Sequence, residues 1–220
     1  MPANSSAVEL DAISKLYGDF AALRNVTASF ETGNCYVVTG DNGAGKSTLL
    51  RVIAGLLQPT LGAVRLFGSK EIQNERRRIG YLSHASMLYD ELTALENLRY
   101  SAALCAGGPT LTPQQALTLV GLDPALKRIV GQYSQGMRQR TALARVLLAQ
   151  PDLLLLDEPF SNIDAASAEQ MLRVLADLRN RQRTILLTTH QPDLARPLAN
   201  AFCHMRQGQI VAFDAARGQA

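Results

Sequence analysis

The chain has 220 residues, 47% hydrophobic and 19% charged, a balance that excludes a disordered polymer and suits one large domain, or one domain carrying a subdomain. Its longest apolar runs, such as Leu153 to Leu156, fall far short of the roughly 18 to 20 residues of a membrane span, and the start, MPANSSAVELD, lacks the basic-then-apolar order of a signal peptide, so a cytosolic product is expected. A net charge of +3 fits contact with anionic ligands or lipid surfaces and is too small to argue for nucleic acid.

The N-terminal third reads as β structure. Val26, Ala28 and Phe30 alternate with polar residues, as on a half-buried strand, and Glu31-Thr32-Gly33-Asn34 is turn chemistry. Cys35 to Thr39 is a short apolar run, consistent with a strand buried on both faces. It leads into GDNGAGKSTLLRVIAGLL, where Leu49, Leu50, Ile53, Leu56 and Leu57 recur at helical spacing. Pro59 and Gly62 close that unit, and Ala63 to Phe67 reads as another strand.

The middle is helical. Thr93-Ala94-Leu95-Glu96 and Thr112-Pro113-Gln114-Gln115 both have capping-box spacing, the second with proline at the first helical position. Gly107-Gly108-Pro109 separates these helices, and Ser134 is placed to cap a third that runs to about Ala149. Arg76-Arg77-Arg78 reads as a solvated face. The last third returns to α/β: a buried strand over Leu153 to Leu156, a helix capped by Asp164 with Met171, Leu172, Leu175 and Leu178 on one face, a buried strand over Thr184 to Thr189, and a hairpin whose arms flank Arg206-Gln207-Gly208-Gln209. Cys35, Cys105 and Cys203 are odd in number and scattered, which suits three reduced thiols rather than a disulfide framework or a zinc site.

The strongest chemical signal is Gly40-Asp41-Asn42-Gly43-Ala44-Gly45-Lys46-Ser47, a full match to G-x-x-x-x-G-K-[ST] between a predicted strand and a predicted helix. The glycines let the backbone wrap around phosphates, the helix adds its positive end, Lys46 supplies a full charge to the β and γ phosphates, and the Ser47 hydroxyl suits Mg²⁺. The second signal is a buried strand that ends in Asp157-Glu158-Pro159. Asp157 suits the metal, and Glu158 suits orienting or deprotonating an attacking water, which is most of what phosphoryl transfer asks of a protein.

The third signal is Tyr133-Ser134-Gln135-Gly136-Met137-Arg138-Gln139-Arg140. With the other two, and in this order over nearly the whole chain, it resembles the ATP-binding subunits of ABC transporters. The resemblance implies an α/β fold, a P-loop NTPase core with a mixed sheet, an N-terminal antiparallel β subdomain and an inserted helical signature subdomain over about residues 86–150, all in one domain spanning 1–220. It implies ATP, ADP and Mg²⁺ as ligands. Tyr17 would stack on adenine; Gly40, Asn42, Gly43, Ala44, Gly45, Lys46, Ser47 and Thr48 would hold the phosphates; Ser134 and Gly136 would contact the γ phosphate bound on the opposite subunit. Ser161 to Asp164 match the loop that crosses the dimer interface, and His190 matches the histidine that senses the γ phosphate. Taken alone, Tyr17 reads as edge-strand packing and His190 as a satisfied structural histidine. The resemblance further implies a homodimer docked on integral membrane permease subunits, peripheral to the cytoplasmic face of the bacterial inner membrane.

Two departures stand out. Gln135 and Met137 replace the third and fifth residues of the usual Leu-Ser-Gly-Gly-Gln signature. His84, in Gly80-Tyr81-Leu82-Ser83-His84, replaces a glutamine that reaches Mg²⁺ and the attacking water. A neutral imidazole can accept a metal-linked hydrogen bond and a charged one cannot, so His84 is expected to weaken the link between nucleotide and partner or make it pH-dependent. His84 and the run Leu88 to Tyr100, with the signature YSQGMRQR, look like the haem-exporter ATP-binding subunit of cytochrome c maturation. That likeness implies haem export or release of a haem-loaded chaperone; another ABC exporter, of drugs, lipids or polysaccharides, is the alternative. Cys-x-x-Cys-His is absent from the sequence, and Phe202-Cys203-His204-Met205 reads as alternating core and surface rather than a haem site.

Overall fold

A computed structural model describes residues 6–105 and 107–216. The first five residues of the start MPANSSAVELD, and both ends of the domain expected over 1–220, lie outside the described residues. Two sheets and two helical layers make up the fold. β1 (Ser6–Tyr17), β2 (Phe20–Glu31) and β4 (Leu61–Leu66) form an antiparallel sheet in the order β2-β1-β4. β3 (Cys35–Thr39), β5 (Ile79–Leu82), β6 (Leu153–Asp157), β7 (Thr184–Thr188), β8 (Ala201–Arg206) and β9 (Gln209–Ala215) form the second, ordered β5-β6-β7-β3-β8-β9. Its first five strands are parallel, and β9 is antiparallel to β8.

The apolar runs at the centre of this sheet are buried on both faces, and their period of two divides them between two cores. Cys35 and Val37, Leu154 and Leu156, and Ile185 and Leu187 face one core; Tyr36 and Val38, Leu153 and Leu155, and Leu186 face the other. The second core is closed by α1 (Lys46–Ile53), through Leu49, Leu50, Val52 and Ile53, and by the antiparallel sheet, through Val8, Leu10, Ile13, Leu23 and Phe30. Each fully buried leucine contributes about 1.5–3 kcal/mol, so these doubly covered strands concentrate much of the burial that stabilises the fold.

The first core is closed by α3 (Ala94–Leu104), α4 (Pro113–Leu119), α5 (Gln135–Leu147) and α6 (Ala165–Asn180). Both capping boxes form: the Thr93 and Thr112 hydroxyls accept from the Glu96 and Gln115 amides, whose side chains accept in return from the cap backbones. α5 stops at Leu147, two residues short of the expected Ala149.

α1 also differs from its sequence pattern. It ends at Ile53 because Gly55 takes φ +68, so Leu56 is left 61% exposed instead of continuing the buried stripe. The arginine run is more than a solvated face. After the short helix α2 (Ile72–Glu75) it forms a 3₁₀ turn, Arg76–Arg78. Arg78 stacks 3.5 Å from the centre of the Phe67 ring and pairs with Glu75 and Asp152. Arg77 donates to the Gly107 and Gly108 carbonyls, tying the sheet's edge to the loop after α3.

Candidate functional site

The carboxyl ends of β3, β6 and β7 lie side by side, and the loops that leave them make one cleft, as parallel α/β sheets generally provide. It encloses about 230 Å³ and is lined by Phe20, Ala22, Asn42, Gly43, Ala44, Gly45, Lys46, Ser47, Thr48, Glu158 and His190.

The glycine loop leaves β3 with Gly40, Gly43 and Gly45 all at positive φ, and α1 begins at Lys46 with left-handed Gly45 as its cap. The N-terminal amides of α1 therefore open toward the cleft. Lys46 is only 7% exposed, and its Nζ donates to the Gly40 oxygen at 2.6 Å and the Asp41 oxygen at 3.1 Å. Two carbonyls of the loop thus hold the ammonium within reach of a phosphate.

Ser47 Oγ donates to Asp157 Oδ1 at 2.9 Å, and Thr188 Oγ1 donates to the same oxygen at 2.8 Å. Asp157 is buried, so these bonds support a desolvated carboxylate. Glu158 follows at φ +56, a left-handed conformation that costs any residue with a Cβ energy and turns the carboxylate off the strand axis into the cleft. Its Oε2 accepts from the His190 amide at 3.2 Å and from Ser161 Oγ at 3.4 Å. Its Oε1 is buried and lies 3.1 Å from His190 Nε2, off the hydrogen-bond direction, so its lone pairs are not spent on a protein donor.

Three positions carry a part in the site that the sequence motifs do not assign. Thr188 joins the two carboxylate residues, since it also accepts from the Glu158 amide at 2.9 Å. Phe20 lines the cleft beside the glycine loop and faces Tyr17 across the β1–β2 hairpin. Tyr81, at the end of β5, accepts from Arg51 Nε at 3.4 Å, and burial is the main cause holding its phenol above the ordinary tyrosine range. Only the pairing register brings these groups to the site; no local motif marks them.

Other singled-out residues stand apart from the cleft. Tyr17 is half exposed at the hairpin tip, with Lys15 Nζ 5.3 Å from its ring centre. Ser134 is exposed at the start of α5, where its hydroxyl accepts from the Met137 amide at 3.2 Å. Gly136 is buried where α5 meets α6, and an added Cβ there would fall on Ser167. Asp164 caps α6, and hydrogen bonds from the Ser167 amide and hydroxyl hold its carboxyl below the usual range. His84 is exposed on the loop after β5. Among the described residues, no cluster of three or more histidine, cysteine, aspartate or glutamate side chains is placed to hold a metal. The hard-oxygen pair of Ser47 and Asp157 nonetheless has the donor chemistry of Mg²⁺, which takes few protein ligands when phosphates supply the rest.

A strand, a glycine loop and a helix on one side of a cleft, with paired acids from the next strand opposite, define a nucleotide-binding cassette with a P-loop. Residues 23–161 match the family model described as ABC transporter, and the chain belongs to that family. It is 34% identical over 190 residues to the bacitracin transport ATP-binding protein BcrA of Bacillus licheniformis, covering 84% of this chain and 62% of the relative. It is 37% identical over 196 residues to the fluoroquinolones export ATP-binding protein Rv2688c of Mycobacterium tuberculosis, covering 88% of this chain and 65% of that protein. The chain thus spans less than two thirds of the length of both. Among solved structures, the dimeric post-hydrolysis state of the cassette MJ0796 bound to ADP and Pi superposes with a TM-score of 0.86, at 28% identity, over 96% of this chain and 99% of that one. Among the described residues, no helix is long and apolar enough to cross a membrane.

Proposed function

We propose that this chain is the ATP-hydrolysing subunit of a bacterial ABC transporter. The observation that carries the reading is the joined set Ser47–Asp157–Thr188–Glu158–His190 at the ends of three adjacent strands. Lys46 meets the β and γ phosphates once its Nζ exchanges the Gly40 and Asp41 carbonyls for them. Ser47 and Asp157 are the residues that would hold Mg²⁺, which when bound neutralises phosphate charge. Glu158 orients the attacking water and takes its proton, and His190 holds the Glu158 carboxylate and meets the γ phosphate. Tyr17 and Phe20, at one hairpin tip, offer aromatic surface for adenine.

The working form in this reading is a homodimer, with Ser134 and Gly136 of one copy facing the glycine loop of the other. The superposition on a cassette described as dimeric supports it. Membrane permease subunits would dock near the His84 loop and the helices that follow, placing the cassette at the cytoplasmic face of the inner membrane. The finer reading is haem export, or release of a haem-loaded chaperone in cytochrome c biogenesis; it is supported by His84 and the Leu88 to Tyr100 run. In it, His84 loosens the coupling between nucleotide and permease. A drug exporter is the second reading, favoured by the bacitracin and fluoroquinolone relatives.

The test is phosphate release by wild type and Glu158→Gln. Wild type is expected to hydrolyse ATP, while the variant binds Mg-ATP, releases no phosphate and sediments as a dimer. Equal rates, or a variant that stays monomeric at saturating Mg-ATP, end the reading. Mass spectrometry of membrane proteins co-purified with the chain separates haem-handling partners from drug-type permeases.

A further inference from the structure

The glycine loop is gripped at both ends by the β8–β9 hairpin, and we propose that this hairpin is its back wall, with Gly208 a positioning residue for nucleotide binding. The inference deepens, and rests on, the nucleotide-binding reading above.

At the loop's exit the Gly208 amide donates to the Ala44 oxygen at 3.0 Å, and the Gly208 oxygen accepts from the Arg24 amide of β2 at 2.8 Å. The turn is tight because Gln207 and Gly208 both take positive φ, +49 and +80, as a two-residue hairpin requires. No side chain fits at Gly208: an added Cβ would lie 2.8 Å from the Ala22 oxygen and 3.2 Å from Leu23 Cα. Gly45 is bare for the same reason, since its Cβ would stand 2.6 Å from the Ala22 oxygen and 3.4 Å from Gly208 Cα. Three backbones, from β2, the loop and the hairpin turn, thus meet with no room between them. At the loop's entrance a Cβ on Gly40 would fall on the Met205 carbonyl of β8. Beside it, His204 Nδ1 lies 2.7 Å from Thr39 Oγ1, and its Nε2 lies 3.0 Å from Asp214 of β9.

The consequence follows from peptide geometry. The Ala44 carbonyl and the Gly45 N–H belong to one planar trans unit and point in opposite directions. Anchoring the carbonyl on Gly208, behind the loop, turns the Gly45 N–H forward to the cleft that Gly45 lines. The hairpin therefore fixes a phosphate-facing donor before any nucleotide arrives, and ordering costs nothing further on binding.

The experiment compares wild type, Gly208→Ala and the control Gln207→Gly, which relieves a strained angle without touching the loop. Amide hydrogen exchange of a peptide covering residues 40–47 is read in the nucleotide-free protein, and ATP affinity by calorimetry. Gly208→Ala is expected to exchange faster in that peptide while core strands keep their protection. It should bind ATP about tenfold more weakly, the net value of one backbone hydrogen bond, with KM raised in proportion and kcat within about twofold. Gln207→Gly should match wild type in all of these. Unchanged exchange and affinity in Gly208→Ala overturn the proposal. If Gly208→Ala does not fold, His204→Leu removes the entrance contact and leaves the backbone unstrained; about threefold weaker binding with faster loop exchange supports the proposal, and wild-type values overturn it. Failure of wild type to bind ATP would sink the nucleotide reading instead, and loop exchange in the empty protein still decides the hairpin's part.

Discussion

The Thr188 hydroxyl donates to Asp157 Oδ1 at 2.8 Å while it accepts from the amide of the next residue, Glu158, at 2.9 Å. One buried side chain on β7 thereby fixes both acids at the end of β6. Thr188→Val keeps the shape and removes both bonds, leaving the part-buried Glu158 amide unsatisfied and Asp157 with one hydroxyl donor fewer beside Ser47. A loss of about 1–3 kcal/mol in denaturant unfolding is expected. Because Glu158 loses its anchor, kcat for ATP should fall about tenfold or more, with a smaller change in KM. Thr188→Ser, which restores the hydroxyl, should recover most of both. A valine variant with wild-type kcat would show that the strand pairing alone sets the acids.

Ser134 has two candidate jobs that a suitable pair of substitutions separates. Its hydroxyl caps α5 by accepting from the Met137 amide, and the proposed dimer has it meet a γ phosphate on the other copy. Ser134→Ala should cost about 1 kcal/mol, lowering Tm by about 2–4 °C in a chain of this size. Ser134→Asp keeps a good cap and sets a carboxylate against the phosphate. It should melt close to wild type yet lose ATP-driven dimerisation in the Glu158→Gln background. If Ser134→Asp still dimerises with Mg-ATP, the phosphate contact is wrong and only the cap remains.

What the sequence made legible follows from where the determining contacts lie. β3, β6 and β7 read as strands because a strand covered on both faces needs an unbroken apolar run, which the letters display. The caps at Thr93, Thr112, Ser134 and Asp164 read correctly because donor and acceptor lie within three residues. β1 was legible only as part of a β-rich N-terminal third with Tyr17 on an edge strand, and its bounds were not, since its alternation is broken by register shifts between Leu10 and Ile13 and by Ala12 at φ +50. The arginine run misled because its partners, Phe67, Asp152 and the Gly107 carbonyl, are distant in sequence. The glycine loop and the two acids stood out as motifs, whereas Thr188 reaches Asp157, and Phe20 the cleft, through strand pairing, which no local pattern encodes.

The cysteines give a prediction in pH. Cys35 and Cys203 are buried on opposite sides of the central sheet, and burial pushes each thiol up to about 12 from an ordinary value near 9. For Cys35 the nearby Arg179 guanidinium opposes the rise without cancelling it. Both thiols ionise in the unfolded chain well before they ionise in the native one. The unfolded state therefore binds fewer protons between about pH 9 and 12, and stability falls through that window. Their contribution is fully present below about pH 9 and then declines by about 1.4 kcal/mol per pH unit for each thiol. The check is urea unfolding at pH 8.0 and at several values above 9, with Cys35→Ala/Cys203→Ala alongside. The double variant should be less stable at pH 8.0, because it leaves small cavities, and should show a shallower alkaline decline. In the native protein a thiol reagent at pH 8 should label Cys105, which is partly exposed, and leave the other two until urea opens the fold. Parallel alkaline slopes for the two proteins, or three thiols labelled at one rate in the native state, would mean that water reaches the sheet's interior and that the two cores are not sealed.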